Sequence, residues 1–295
     1  MRRRRLVSSK VTPYFFLVPT LILIIIFRLI PIGYSFWLSI TRFNVIMPQN
    51  STFVGLDNFA RMIGDEFLWR SLLNTTYFTL GSLTIGLLLS LVMSFILCEA
   101  WFKFSGVARA LLFVPFIMSI VIAGLIWSFI FQIDFGLLNS ILRLLGLPQQ
   151  RFLADTSLAI WAVIIVAIWR DLGYMITIWS AGILSISKDY LEAGRIDGAN
   201  RMQEILYIRL PMLKPVATFL IVLGVINSFQ VFDVVYVMTF GGPARSTEVL
   251  IYYLWNMAFR DFNISYAAAI SWLLFAILII FTLIQVKLFK AEDVN

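Results

Sequence analysis

Six stretches of this chain run for about 20 residues or more with few charges, the length a helix needs to cross roughly 30 Å of hydrocarbon. They cover residues 14–38, 72–97, 111–131, 158–184, 213–237 and 266–286. In hydrocarbon the backbone must satisfy its own hydrogen bonds, so a run of this kind has to be helical. The expected fold is therefore an all-α integral membrane protein with six transmembrane helices, making one transmembrane domain of residues 1–295. Composition agrees: 61% of the 295 residues are of the AVILMFWYC set, against about 45–50% in soluble domains even with Gly included. Charged residues are 13%, and mean hydropathy is +0.92. The first run follows Arg2, Arg3, Arg4 and Arg5. It is too long for the apolar core of a signal peptide, carries Arg28 and Pro31, and lacks a small-residue cleavage site, so it reads as a retained span.

The net charge of +7 sorts by side. With the N-terminus inside, 14 of the 23 Lys and Arg residues fall in cytoplasmic segments and seven in outer ones, leaving Arg28 and Arg170 within spans. The positive-inside rule then puts both termini in the cytoplasm. A basic balance distributed this way is membrane topology, with no reason to invoke nucleic acid.

Catalytic chemistry is thinly supplied. The chain has no His and one cysteine, Cys98. That removes the commonest general base and metal ligand, an intrachain disulfide and a Cys-based metal cluster. Neither a Gly-x-x-x-x-Gly-Lys-Ser/Thr phosphate loop nor a Gly-x-Ser-x-Gly elbow occurs. The chain is expected not to be an enzyme and to hold no cofactor of its own.

The most polar cytoplasmic stretch is 187–215, between the fourth and fifth spans. Ser187 fits the N-cap of a helix through Ile196, and Gly198 allows a bend. Asn200 with Gln203 three later fits a capping box for a second helix with Met202, Ile205 and Leu206 on one face. Pro211 and Pro215 are expected to end it. The corner would present Glu192, Arg195, Asp197 and Arg201 to the cytosol, either as an interfacial anchor or as a docking surface. Outside the cell, residues 59–72 alternate apolar side chains with Arg61, Asp65, Glu66 and Arg70, as a helix lying along the interface would. Gly241-Gly242-Pro243 marks a tight outer turn.

Polar residues within the spans are expensive and default to function. Asn227, Gln230 and Asp233 stand at steps of three, which keeps them within a 120° arc of one helix, and Tyr236 extends the line. Trp169, Arg170, Asp171, Gly173 and Tyr174 sit near the middle of the fourth span. Neighbours i and i+1 point about 100° apart, so Arg170 is expected to pair across helices, for example with Asp233, rather than with Asp171. Whether Arg28, Arg170 and Asp171 are structural or touch substrate stays open. Thr75, Thr76, Thr79, Ser82, Thr84, Ser90 and Ser94 in the second span, with Gly81 and Gly86 among them, read as close helix packing, and Pro115 as a kink in the third.

Glu192-Ala193-Gly194, then Asp197-Gly198-Ala199, then Ile208-Arg209-Leu210-Pro211 with Lys214-Pro215 resembles the cytoplasmic "EAA" motif of ABC importer permeases. Gly194 stands where a second Ala is usual. A second set is similar to the maltose-type sugar importer permeases: Phe16-Leu17-Val18-Pro19, Gly55-Leu56-Asp57-Asn58-Phe59, Gln230-Val231-Phe232-Asp233, Tyr236-Val237-Met238-Thr239, Gly241-Gly242-Pro243, Ser246-Thr247 and Tyr266-Ala267-Ala268-Ala269.

The resemblance implies a permease core over about 72–290 in a bacterial or archaeal cytoplasmic membrane. It also implies a coupling helix in the 187–215 loop that docks on an ATPase subunit through Glu192, Ala193, Gly194, Asp197, Gly198, Ala199, Ile208, Leu210 and Pro211. The partners it implies are a second homologous permease, two ATPase subunits that hold the ATP and magnesium, and an extracytoplasmic substrate-binding protein. Substrate contact would fall to Asn227, Gln230, Asp233, Tyr236, Trp169, Gly173 and Tyr174. The substrate class would be a sugar or oligosaccharide, with glycerol-3-phosphate or a related polyol phosphate as the alternative. A self-sufficient secondary transporter is the rival from another class, with Asp171 and Asp233 as ion-coupling carboxylates, but it leaves the long cytoplasmic loop unexplained. A membrane enzyme is the weaker rival.

Overall fold

The computed structural model describes residues 12–99 and 103–290. Arg2 to Arg5 and Lys10 lie outside the described residues. Among the described residues, four helices are long and apolar enough to cross a membrane: Phe16–Ser39, Glu66–Leu97, Ala159–Ser185 and Ile264–Lys287. Two bent pairs, Ser105–Ile117 with Ile120–Ile130 and Arg201–Met212 with Lys214–Phe229, raise the number to six if each is one span. The chain divides into two compact units.

The first unit comprises residues 1–64 and 254–276. The Phe16–Ser39 helix has no buried residue in its most apolar window, and Ile25–Leu29 within it, including Arg28, is wound as π-helix. After it, Thr41–Arg42 pairs antiparallel with Thr52–Phe53. The Asn58 amide donates to the carbonyls of Ser39 and Thr41 at 2.8 and 2.9 Å, tying the short Asp57–Ile63 helix to that hairpin. Arg61 lies 4.1 Å over the ring of the fully buried Tyr266, and the Phe43 amide donates to Ser265 Oγ at 2.8 Å. Asn58 and Tyr266 of the recognised motifs are thus braces of this unit. The single amphipathic stretch expected over 59–72 is split at Gly64. Its second half forms the first turns of the Glu66–Leu97 helix, because the Asp65 carboxylate caps them by accepting from the Leu68 amide at 3.1 Å.

The second unit comprises residues 65–253 and 277–295. Its centre is the contact between the Glu66–Leu97 and Ala159–Ser185 helices. The buried stripe of the first helix is small and hydroxylic: Ser71, Thr75, Thr79, Ser82, Gly86, Ser90 and Ser94. Most of these hydroxyls donate back to carbonyls three or four residues earlier, so they cost little in an apolar setting. Ser94 also reaches the Ile176 carbonyl of the neighbouring helix at 3.1 Å. Close packing, the role expected of these residues, is what they serve.

Two expected spans are not single helices. The third breaks into Ser105–Ile117 and Ile120–Ile130, which meet at 97°. The turn falls at Met118 and Ser119, both extended in the backbone, and not at Pro115. The fifth breaks between Lys214–Phe229 and Asp233–Met238, with Phe232 at φ −142°, ψ −60°. The first piece has 16 residues, about 24 Å of helix and short of the roughly 30 Å of hydrocarbon. At the Gly241-Gly242-Pro243 turn Gly241 adopts φ +77°. Thr247 Oγ1 donates to the Gly242 carbonyl at 2.8 Å and lies 2.7 Å from Thr239 Oγ1, which joins the Gly-Gly-Pro and Ser-Thr motifs in one turn.

Candidate functional site

A cavity of about 520 Å³ opens where these interruptions meet, wholly within the second unit. The Glu66–Leu97 helix gives it Phe78, Ser82 and Leu83, and the Ala159–Ser185 helix gives Ala167, Ile168, Arg170, Asp171, Tyr174 and Met175. Phe116 and Ile120 come from either side of the 97° turn. The Lys214–Phe229 helix adds Leu220, Leu223, Gly224, Asn227 and Ser228, and the unwound segment with the next turn adds Gln230 to Val234. Non-helical backbone is tolerated at membrane depth only where it is buried in protein or lines a watered cavity. The break at Gln230 meets that condition.

The side chains of Asn227, Gln230 and Asp233 are exposed on the wall, and none takes an ion pair or side-chain hydrogen bond from the described residues. They lie together although they are not on one continuous helix. Tyr174 also lines the cavity, its ring stacked on Phe116 at 4.9 Å.

The remaining expected contact residues are placed elsewhere. Tyr236 stacks on Phe232 at 5.3 Å, and Trp169 meets Trp127 edge-on at 5.6 Å. A Cβ on Gly173 would come 2.0 Å from the Leu112 carbonyl oxygen, so this glycine permits a close helix crossing. Phe116 was missed in the sequence. It lies just before the turn at Met118 and Ser119, and only the fold shows that this turn opens onto a cavity.

The expected cross-helix pairing of Arg170 does not occur. Its Nη1 donates to Asp171 Oδ1 at 2.7 Å, and its guanidinium sits 5.4 Å over Phe116. The Cβ directions do diverge, but the long arginine stem turns back far enough to reach its neighbour.

In the 187–215 loop the Ser187 side chain caps the Lys188–Ile196 helix, accepting from the Asp189 amide at 3.3 Å. Gly198 follows at φ +86°, a left-handed conformation suited to glycine. Asn200 and Gln203 form the reciprocal capping box at 2.9 and 2.8 Å. The chain then departs from expectation. Glu204–Arg209 is π-helical and Pro211 does not end the helix, which continues to Met212 and bends by 61° at Leu213. Proline has no N–H and its ring crowds the carbonyl four residues back, so a wider turn just before Pro211 relieves both. Met202 and Leu206 are exposed and Ile205 is half-buried.

Below the surface the loop is held by charge. Glu204 is buried and accepts from Arg195 at 3.0 Å and from Arg209 at 2.8 Å. Arg209 also lies 3.7 Å from Glu99, at the end of the Glu66–Leu97 helix, and Arg201 pairs with Glu99 at 3.0 Å. Arg195 and Arg201, expected to face the cytosol, thus bind inward through their tips. Burial works against the charge on Glu204, but the Arg209 and Arg195 hydrogen bonds outweigh it and hold the carboxyl below its ordinary range. Neither Glu99 nor Glu204 was singled out in the sequence, although the surplus of arginine in this loop asked for acidic partners. Above this network Glu192, Ala193, Asp197 and Gly198 are exposed, and Ile196 is 86% exposed. Gly194 packs under Ile208, where a Cβ would come 2.3 Å from Ile208 Cδ1. The departure from the usual alanine therefore has a local reason.

Residues 82–291 match a family described as binding-protein-dependent transport system inner membrane component. The trehalose/maltose transport system permease protein MalF of Thermococcus litoralis is 32% identical over 277 residues, 93% of this chain and 92% of that protein. The sn-glycerol-3-phosphate transport system permease protein UgpA of Pectobacterium atrosepticum is 29% identical over 293 residues, 99% of this chain and 98% of that protein. Among solved structures, a bacterial ABC transporter involved in the import of the acidic polysaccharide alginate superposes with a TM-score of 0.83 at 22% identity, covering 95% of each chain.

Proposed function

The chain belongs to the family of inner-membrane components of binding-protein-dependent transport systems, a transport component and not an enzyme, and on that premise we propose that it is one permease subunit of an ATP-driven importer for a sugar or oligosaccharide. The observation that carries this reading is the cavity at the interrupted fifth span. Its unpaired amides and carboxylate and its aromatic walls suit a polyhydroxylated ligand with apolar faces. The relative that carries trehalose and maltose in its name supports the same substrate class. The glycerol-3-phosphate relatives are the observation favouring a second reading, a polyol phosphate.

In this proposal both bent pairs belong to a six-span bundle with cytoplasmic termini. Asn227, Gln230, Asp233 and Tyr174 contact substrate, while Gly173, Trp169 and Tyr236 hold the wall in place. The exposed corner at Glu192, Ile196 and Gly198 docks on an ATPase subunit, and the ion-pair network beneath it transmits the motion. Two ATPases binding ATP with magnesium, a second permease and an external binding protein complete the assembly. ATP shifts the population between inward- and outward-facing states by binding one of them more tightly.

Reconstitution in liposomes tests this directly. Uptake should require the ATPase subunits, internal ATP and the external binding protein. Uptake by this chain alone, driven by an ion gradient, would replace the proposal with a secondary transporter. Cysteine at Gly242 should react with an impermeant thiol reagent from outside, and cysteine at Asn200 only from inside. The reverse pattern would overturn the topology.

A further inference from the structure

The charge on the cavity wall goes one step beyond a sugar permease, and this inference rests on that reading. Three charged side chains line the cavity: Arg170, Asp171 and Asp233. The arginine is already spent, because Asp171 takes its Nη1 at 2.7 Å and Phe116 covers it at 5.4 Å. Its Nε is buried without a partner among the described residues, so that nitrogen offers nothing to a ligand, and only 26% of the side chain is exposed. Asp233 is different. It is exposed on the wall and has no ion pair or side-chain hydrogen bond among the described residues. The lining of this chain therefore carries one excess negative charge, on a group set beside the uncharged amides of Asn227 and Gln230.

We infer that the cavity selects uncharged glycosides against anionic ones, with Asp233 as the specificity-determining residue. An ionised carboxylate only accepts hydrogen bonds, and sugar hydroxyls supply donors for it at charge-assisted strength. A uronate or a phosphate would instead bring a second anion against Asp233, in a pocket where charges are screened far less than in water. Discrimination of this kind works by placing a repulsive group against the wrong ligand as well as attractive ones for the right ligand. It separates this chain from the glycerol-3-phosphate reading and from the acidic cargo of the solved alginate importer.

The test uses the assembled importer in nanodiscs. Affinities are measured for di- to pentasaccharides of glucose, xylose and arabinose, and for galacturonate and mannuronate oligomers and glycerol-3-phosphate. At least one neutral oligosaccharide should bind, with every anionic probe about tenfold weaker or more. The near-isosteric Asp233→Asn keeps hydrogen bonding and removes the charge, so it should shrink that ratio about tenfold. An anionic probe that binds the wild-type importer as tightly as its neutral counterpart would overturn the inference, as would a ratio unchanged in Asp233→Asn. Failure of every carbohydrate to bind either form, with glycerol-3-phosphate bound, would overturn the sugar reading itself.

Discussion

The cavity and the 187–215 loop treat their polar groups in opposite ways. In the cavity, Asn227, Gln230 and Asp233 take no ion pair or side-chain hydrogen bond among the described residues, at and just before the break in the backbone. In the loop, Glu99, Arg195, Arg201, Glu204 and Arg209 are tied into one connected network. Unpaired polar groups at membrane depth persist when something else, substrate or water, pairs with them. Paired charges make a rigid support, because removing either member strands the other. One region is built to exchange partners and the other to keep them.

The most damaging way to break this contrast is Glu204→Ala. It leaves the arginine cluster without its buried acceptor, and removing one member of a buried pair costs about 3–5 kcal/mol. The yield of assembled complex should fall sharply, while Glu204→Gln, which keeps hydrogen-bond capacity, should recover part of it. Normal yield of Glu204→Ala in purified membranes would show that the network is ornamental.

In the cavity the effect should be smaller and of another kind. Asn227→Ala or Gln230→Ala should cost about 1–3 kcal/mol of substrate interaction, by leaving a ligand hydroxyl unpaired, with assembly intact. Equilibrium binding of the neutral oligosaccharide to the complex, compared with complex yield, separates these effects.

A pH titration sharpens the contrast further. The folded carboxyl of Glu204 lies below its unfolded value. Its contribution is therefore complete above the ordinary Glu range of about 4.3 and is lost as pH falls through the lower folded value. Amide-exchange protection across residues 200–209, corrected for intrinsic exchange, should hold at neutral pH and drop only in that acid range. In Glu204→Gln the drop should vanish.

How far the sequence reached follows the range of the interactions concerned. The apolar runs, the Ser187 cap, the Asn200–Gln203 capping box and the Gly198 corner depend on residues within a few positions of one another, and all were legible. The breaks at Met118–Ser119 and Gln230–Phe232 have no proline or glycine at the break itself. They flank or line the cavity, and no local pattern encodes them. Arg170 misled for the reverse reason: helical phase separates it from Asp171, but side-chain length restores the contact. Glu99 and Glu204 were missed because their meeting through Arg209 joins two segments more than 100 residues apart. Of the residues read as substrate contacts, Asn227, Gln230, Asp233 and Tyr174 reach the cavity because their faces happen to converge. Gly173, Trp169 and Tyr236 sit on neighbouring faces of the same elements and pack against other helices.

The most direct test of the central claim, that substrate is handled in the cavity and force is received at the loop, is to measure uptake and binding-protein-stimulated ATP hydrolysis per assembled complex in Gln230→Ala and in Glu192→Lys. Glu192 is exposed at the corner and takes no ion pair or side-chain hydrogen bond among the described residues, so its reversal reports on docking and not on folding. The expected result is a split: Gln230→Ala loses uptake and keeps stimulated hydrolysis, whereas Glu192→Lys loses both while assembling less tightly with the ATPases. Equal behaviour of the two variants, or a Gln230→Ala complex that forms poorly yet transports normally per assembled copy, would contradict the account.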